Sequence, residues 1–90
     1  MDEPNRQLRR DTPATYRIHL QGLLGESWSE YLNCMTITPA QTVDGAPVTI
    51  LTGRVVDQAA LLGVLNNAYD LGFPLLSVEC VGWEQGPELD

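Results

Sequence analysis

The stretch from residue 48 to 81, VTILTGRVVDQAALLGVLNNAYDLGFPLLSVECV, limits what this chain can fold into more than any other part. It reads as a strand, a capped amphipathic helix, a glycine stop and a second strand. Asp57 follows Val55-Val56 and precedes Gln58-Ala59-Ala60, where its carboxylate can accept from the free amides of a first helical turn. Val56 before that cap and Leu61 in the next turn have the spacing of a hydrophobic staple. Leu61, Leu65, Ala68 and Tyr69 then recur at steps of three and four, with Leu62 and Val64 widening the stripe. Asn66, Asn67 and Asp70 fall toward water. Gly72 ends the helix, because a residue without a β-carbon takes the left-handed turn at least cost. Phe73-Pro74 reinforces the stop, since proline disfavours helix in the residue before it. Gly63 is out of place in a helix, where it costs roughly 1 kcal/mol against alanine unless a strand must come close.

Upstream, the chain supplies strands to complete a sheet against that helix. Tyr16, Ile18 and Leu20 alternate with Arg17, His19 and Gln21, the pattern of a half-buried strand over 16–21. Residues 22–33 are least defined; Ser27 and Glu30 have capping-box spacing, which predicts a short helical turn through Tyr31. A second strand is expected over 34–38, ended by Pro39, and a turn at Asp44-Gly45 leads into a third over 48–52. Gly53 then allows a bend before the helix. The last strand covers about 75–81, after which Trp83 and the acidic tail leave the fold. The expected class is α+β, a single four-stranded mixed sheet in β-β-β-α-β order with one principal helix on one face. A meander followed by a right-handed crossover gives sheet order 3-2-1-4, with the first and fourth strands parallel. Placing the fourth strand beside the third is the open alternative.

Ninety residues make one small domain. Residues 1–14 are charged, proline-punctuated and without apolar rhythm, so they are expected to form a flexible tail. Residues 15–83 form the domain and 84–90 an acidic C-terminal tail. No run approaches the roughly 20 apolar residues of a membrane span, and residues 1–10 carry no apolar signal core. A cytoplasmic protein is expected, with no membrane partner. The formal charge is −7, and the acidic excess lies beyond the N-terminal tail, in the body and the C-terminal tail together, where Arg17 and Arg54 are the only cations. Such a body repels phosphate backbones, so nucleic acid is not an expected partner.

Chemistry-bearing groups are few. The chain contains no lysine, which removes Schiff-base chemistry and the phosphate-loop lysine together. His19 is the single histidine; a general base needs an orienting carboxylate and a nucleophile nearby. Under the expected order, Glu79 and Ser77 on the last strand, with Arg17, are its neighbours. The plainer reading is a solvated sheet face with ordinary cross-strand pairs. One histidine and the separated Cys34 and Cys80 give no zinc-type ligand spacing, and both cysteines are expected as buried free thiols. The scattered glycines form no phosphate-cradling loop. No catalytic residue, metal or cofactor is expected.

The segments TITP, LTGRVVDQAAL and DLGFPLLSV, with TYRIHLQG and WSEY, resemble a family of small uncharacterised bacterial proteins that share the pattern TITP…LTGxVxDQAAL…DLGxPLLSV. The resemblance covers nearly all of the chain beyond the N-terminal tail. It implies the domain boundaries and a cytosolic bacterial setting, and it brings no activity, cofactor or substrate. Each motif also has a plain structural meaning as helix cap, helix stop and buried strand.

The resulting expectation is a non-catalytic protein-interaction or regulatory module whose partner is a second copy, as a homodimer, or another protein. A sheet covered on one face leaves its other face and an edge strand open. The candidate surface comprises Arg17, His19, Gln21, Trp28, Thr36, Thr38, Thr49 and Leu51. The alternative is a small-molecule-binding domain with a ligand held near Trp28, His19 and Arg17; a small hydrolase stands third.

Overall fold

The computed structural model describes residues 8–84, so the ends of both expected tails, 1–7 and 85–90, lie outside the described residues. Four strands and one α-helix follow in the order β1 (Ala14–Gln21), β2 (Thr36–Gln41), β3 (Pro47–Val55), α1 (Gln58–Asp70) and β4 (Leu75–Trp83). Two short 3₁₀ turns, Glu26–Trp28 and Glu30–Leu32, lie between β1 and β2. The architecture is α+β, one four-stranded sheet with the principal helix packed on one face.

The sheet order is β2-β3-β1-β4. This corrects the expected 3-2-1-4. The expected meander needs a hairpin between β1 and β2, but residues 22–35 form a packed link that returns the chain to its starting end. β2 therefore runs in the direction of β1 and takes the outer side of β3. β4 does lie beside β1, as expected, but antiparallel to it. The helix carries the chain from β3 past β1, so β4 repeats the direction of β3 with β1 between them. Every pairing in the sheet is antiparallel.

The helix ends follow the sequence closely. The Asp57 carboxylate accepts from Ala60 N–H at 2.8 Å. At the other end Gly72 N–H donates to Tyr69 O and Phe73 N–H to Ala68 O, the paired bonds of a Schellman stop. Gly72 has φ +90°, a conformation that favours glycine. Leu61, Val64 and Ala68 are the buried residues of the helix, and Leu65 packs against the core from its margin. Tyr69, expected on the inner stripe, is 79% exposed, because the buried stripe is centred on Val64 and Ala68.

Tyr16, Ile18 and Leu20 face the helix from β1, as the alternation predicts. In β3 the expected phase is inverted. Ile18 stands opposite Leu51 and Leu20 opposite Thr49, so Thr49 and Leu51 face the core, while Val48, Ile50 and Thr52 face away. A one-residue change of phase moves every side chain to the other face, and VTIL offers apolar residues to both. β3 also runs through Gly53 rather than bending there. A β-carbon on Gly53 would stand 2.8 Å from Met35 Cγ, so this glycine lets the chain at Met35 pack down on the strand.

Three further expectations change. The Ser27 capping box does not form; the 3₁₀ turns follow Gly25 and Ser29 without side-chain caps. Ser29 instead donates its hydroxyl to Met35 O at 2.7 Å. Pro39 lies inside β2 rather than ending it, which an edge strand tolerates because an amide facing outward has no partner to lose. Cys34 is exposed rather than buried, since Asn33 and Cys34 both adopt left-handed φ values and turn the chain so that Met35 enters the core. Cys80 is half-buried, and both thiols are free. Within the expected N-terminal tail, Leu8 packs against the core and the Arg10 carbonyl accepts from Gln58 N–H at 2.8 Å. Trp83 ends β4 opposite Ala14, and Glu84 N–H donates to Pro13 O, so the last strand continues beyond its expected end.

Candidate interaction face and edge

The sheet face opposite the helix is built from two rows that cross all four strands. Thr36, Thr52, Arg17 and Glu79 form one, and Thr38, Ile50, His19 and Ser77 the other. Antiparallel register puts directly opposed side chains on the same face, which is how residues so distant in sequence become neighbours. Arg17 Nη1 lies 3.4 Å from Glu79 Oε1. Both side chains are well exposed, so this ion pair adds little stability and serves to neutralise the row. Ser77 Oγ and His19 Nδ1 are 3.1 Å apart. The sequence expectation that Ser77, Glu79 and Arg17 gather around His19 is therefore met on this face, although Glu79 pairs with Arg17.

Six of the eight candidate surface residues are exposed or half-exposed. Arg17, His19, Gln21, Thr36 and Thr38 belong to the open face or its margin, and Trp28 is exposed. The other two are corrected: Leu51 is fully buried, and Thr49 is 1% exposed. The Thr49 hydroxyl accepts from Leu24 N–H at 2.9 Å and donates to Gly22 O at 2.7 Å, fastening the start of the 22–35 link to the core side of β3. That link also places Trp28 away from His19 and Arg17. Leu32 and Met35 enter the core, and Asn67 Nδ2 donates to Tyr31 O at 2.8 Å, so the segment sits on the helix side. Trp28 stacks edge-on against Tyr31, with ring centroids 5.8 Å apart. The expected grouping of Trp28 with His19 and Arg17 is split between two faces of the sheet.

The β4 edge was not legible as a surface, because LLSV reads as a buried strand. In fact Leu75, Leu76, Val78 and Val81 are 38–52% exposed. The helix packs against β3 and the second 3₁₀ turn and leaves β4 open. The signal available in sequence was the pair Leu75-Leu76, since adjacent strand residues cannot both face one core. β4 pairs with β1 through a regular run, His19↔Ser77, Ile18↔Val78, Arg17↔Glu79 and Tyr16↔Cys80, bracketed by register shifts that leave Leu76 and Val81 without opposed partners.

The backbone of that run has a definite orientation. Gln21 N–H donates to Pro74 O and Glu84 N–H to Pro13 O, whereas Gly22 N–H donates to Pro47 O at the start of β3. Odd-numbered residues of β1 thus aim their backbone groups at β4 and even-numbered ones at β3. Alternation then points the amides and carbonyls of Ser77 and Glu79 inward at β1, and those of Val78 and Cys80 outward at the edge. The opposite edge differs. β2 is shorter, carries Pro39 and presents Thr36, Thr38 and Gln41. Proline and polar residues are what guard an edge against further pairing, and β4 has neither proline nor basic residue.

Two exposed carboxyls are held below their ordinary range. Glu84 receives hydrogen bonds from the Arg54 guanidinium, and Asp44 receives one from the Thr42 hydroxyl in the β2–β3 turn. Neither belongs to the open rows. Among the described residues no group of three or more His, Cys, Asp or Glu side chains is placed to hold a metal ion, and no helix is long and apolar enough to cross a membrane.

Fold and surface define a small antiparallel α+β domain with one covered sheet face, one open face and one unguarded edge. The chain belongs to the family described as Domain of unknown function (DUF8691), whose model matches residues 15–79, from the second residue of β1 into the regular run of β4. Comparison with curated proteins and with solved structures gives no match.

Proposed function

We propose that this domain is a non-catalytic protein-interaction module that works through the β4 edge and the open sheet face continuous with it, and that it self-associates. The observation that carries the reading is β4 itself: a nine-residue edge strand with exposed leucines and valines and a single charged side chain, Glu79. A long apolar edge with outward backbone groups favours strand addition, in which main-chain bonds supply affinity and alternate side chains supply selectivity. The rows on the open face support a contact role in a second way, because their charges are already matched and their threonines suit a pairing surface.

Hydrogen exchange at the Val78 and Cys80 amides tests the reading. In the isolated monomer these amides face water and exchange rapidly; in an assembly through the edge they are protected at high protein concentration and lose protection on dilution. Fast exchange at every concentration, with no change when a bound partner is present, rules out the edge as the working surface. Turnover of an ester by the purified protein, lost in His19→Ala, would replace the reading with hydrolysis at the His19–Ser77 pair.

A further inference from the structure

Resting on that reading, we infer that the occupant of the β4 edge is a second copy of this chain, paired antiparallel about a two-fold axis at Val78 to give one continuous eight-stranded sheet. Three symmetric registers deserve comparison over the regular run, with axes at Val78, Glu79 or Cys80, and the outward groups and charges choose among them. An axis at Glu79 sets the two Glu79 carboxylates directly opposite each other in the closer, non-hydrogen-bonded position, where like charges repel. An axis at Cys80 moves the pairing onto Val81 and Gly82, where β4 departs from regular register.

An axis at Val78 sets no like charges opposite each other and keeps its central pairs, residues 77–79, inside the regular run, meeting the register shift only further out at Leu76. The two Val78 residues exchange their outward N–H and C=O groups, and Ser77 of each copy stands opposite Glu79 of the other. The rows on the open face then join across the axis. His19 and Ser77 of one copy continue into Glu79 and Arg17 of its partner, and the same row repeats in the opposite sense. Hydroxyl faces carboxylate, and the two guanidinium–carboxylate pairs lie on either side of the axis. The chain carries a formal charge of −7, so most of its surface repels a second copy. Along β4 the one charge, Glu79, has Arg17 3.4 Å away, which makes this strip a neutral place for two such bodies to meet.

The contact is modest in size. The exposed parts of Leu75, Leu76, Val78 and Val81 amount to roughly 300 Å² per copy, against about 800 Å² per partner in a standard stable interface. The added ladder therefore makes a dimer that dissociates on dilution.

Light scattering across a dilution series, applied to the full chain and three variants, tests the inference. The wild type is expected to pass from dimer to monomer. Val78→Pro removes an outward amide that the protomer's own ladder does not use, so it is expected to stay folded by circular dichroism and to be monomeric. Ser77→Arg places a cation opposite the partner's Glu79 twice over. It is expected to tighten the dimer about 2- to 30-fold, a gain that misfolding cannot imitate. In a Cys34→Ser, Cys80→Ser background, Val78→Cys is expected to form a disulfide-linked dimer on mild oxidation, because an opposed hydrogen-bonded pair has Cα atoms about 5.5 Å apart, within disulfide reach. With Cys80 as the sole cysteine, no such link is expected. A wild type that is monomeric throughout overturns the second copy as occupant, while protection of the Val78 amide by a different protein would leave the interaction reading standing. A dimer unchanged by Val78→Pro and Ser77→Arg overturns the edge as its site. Cross-linking through Cys80 instead of residue 78 overturns the register.

Discussion

Thr49→Val separates a core threonine from a surface one. Valine matches threonine in shape and favours strands at least as strongly, so on an open sheet face the change is neutral or mildly stabilising. Here the hydroxyl binds Leu24 N–H and Gly22 O on the buried side of β3. Removing it leaves the Leu24 amide, itself buried, without a partner, a loss of about 1–3 kcal/mol. The Gly22 carbonyl sits at a half-buried turn, where water can replace part of the lost bond, and the new methyl returns part of the loss through burial. A net destabilisation of about 1–2 kcal/mol corresponds to a melting temperature lower by roughly 4–16 °C in a domain of this size. Urea unfolding at one fixed protein concentration gives the value, because any association adds to apparent stability. Hydrogen exchange locates it: the Leu24 amide should exchange faster in Thr49→Val and not in Thr49→Ser, which keeps the hydroxyl. An unchanged unfolding midpoint and an unchanged Leu24 amide would refute the assignment of Thr49 to the core.

Glycine substitutions should move stability in opposite directions. A β-carbon at Gly63 meets nothing within 4 Å, so Gly63→Ala should raise unfolding stability by about 0.5–1 kcal/mol. At Gly53 the same change drives a β-carbon into Met35, with its Cγ at 2.8 Å and its Cα at 3.3 Å, and should cost about 1–3 kcal/mol in the same urea assay. Leu61→Ala should cost about 2–5 kcal/mol and Leu65→Ala clearly less, because Leu61 is buried and Leu65 lies at the margin; equal losses would place the helix face wrongly. Glu84 has its pKa lowered by the Arg54 hydrogen bond, so its stabilising contribution is present above the unfolded carboxyl pKa near about 4 and is lost as pH falls through the lower folded value. Glu84→Gln should flatten the acid limb of a stability–pH curve, and identical limbs would show that the pair contributes nothing.

Local signals in the sequence carried the helix almost completely. Asp57, Gly72 and Phe73-Pro74 act through backbone rules that hold whatever surrounds them, and the helix runs between them as expected. The alternation in β1 was equally readable, since Arg17, His19 and Gln21 separate cleanly from Tyr16, Ile18 and Leu20. β3 was not, because VTIL is apolar on both faces and only its pairing with β1 decides that Leu51 is inside. Strand order failed for a related reason. Nothing local in residues 22–35 announces that the link returns to its starting end, and that single path sets the directions of β2, β3 and β4. The neighbours of His19 could be read because β4 does lie beside β1, although it is the antiparallel register that puts Ser77, rather than Glu79, directly opposite His19. The exposure of β4 was hidden because it reflects where the helix comes to rest, not what the strand contains.

The position of β1 has a consequence for how the molecule is made. It is the first of the four strands to be synthesised and, like β3, is flanked on both sides in the finished sheet, in its case by β3 and β4. Neither flank exists until much later in synthesis; Ala14 waits for Trp83, near the end of the chain. A segment with such distant partners cannot begin the folding reaction, since closing long loops is slow before other contacts reward it. The β2–β3 hairpin and α1, whose contacts are local, are the parts able to form first. Translation halted before residue 75 should thus yield a hairpin and a helix without a settled sheet, and a chain stalled there should remain sensitive to protease through β1 until the last strand is released.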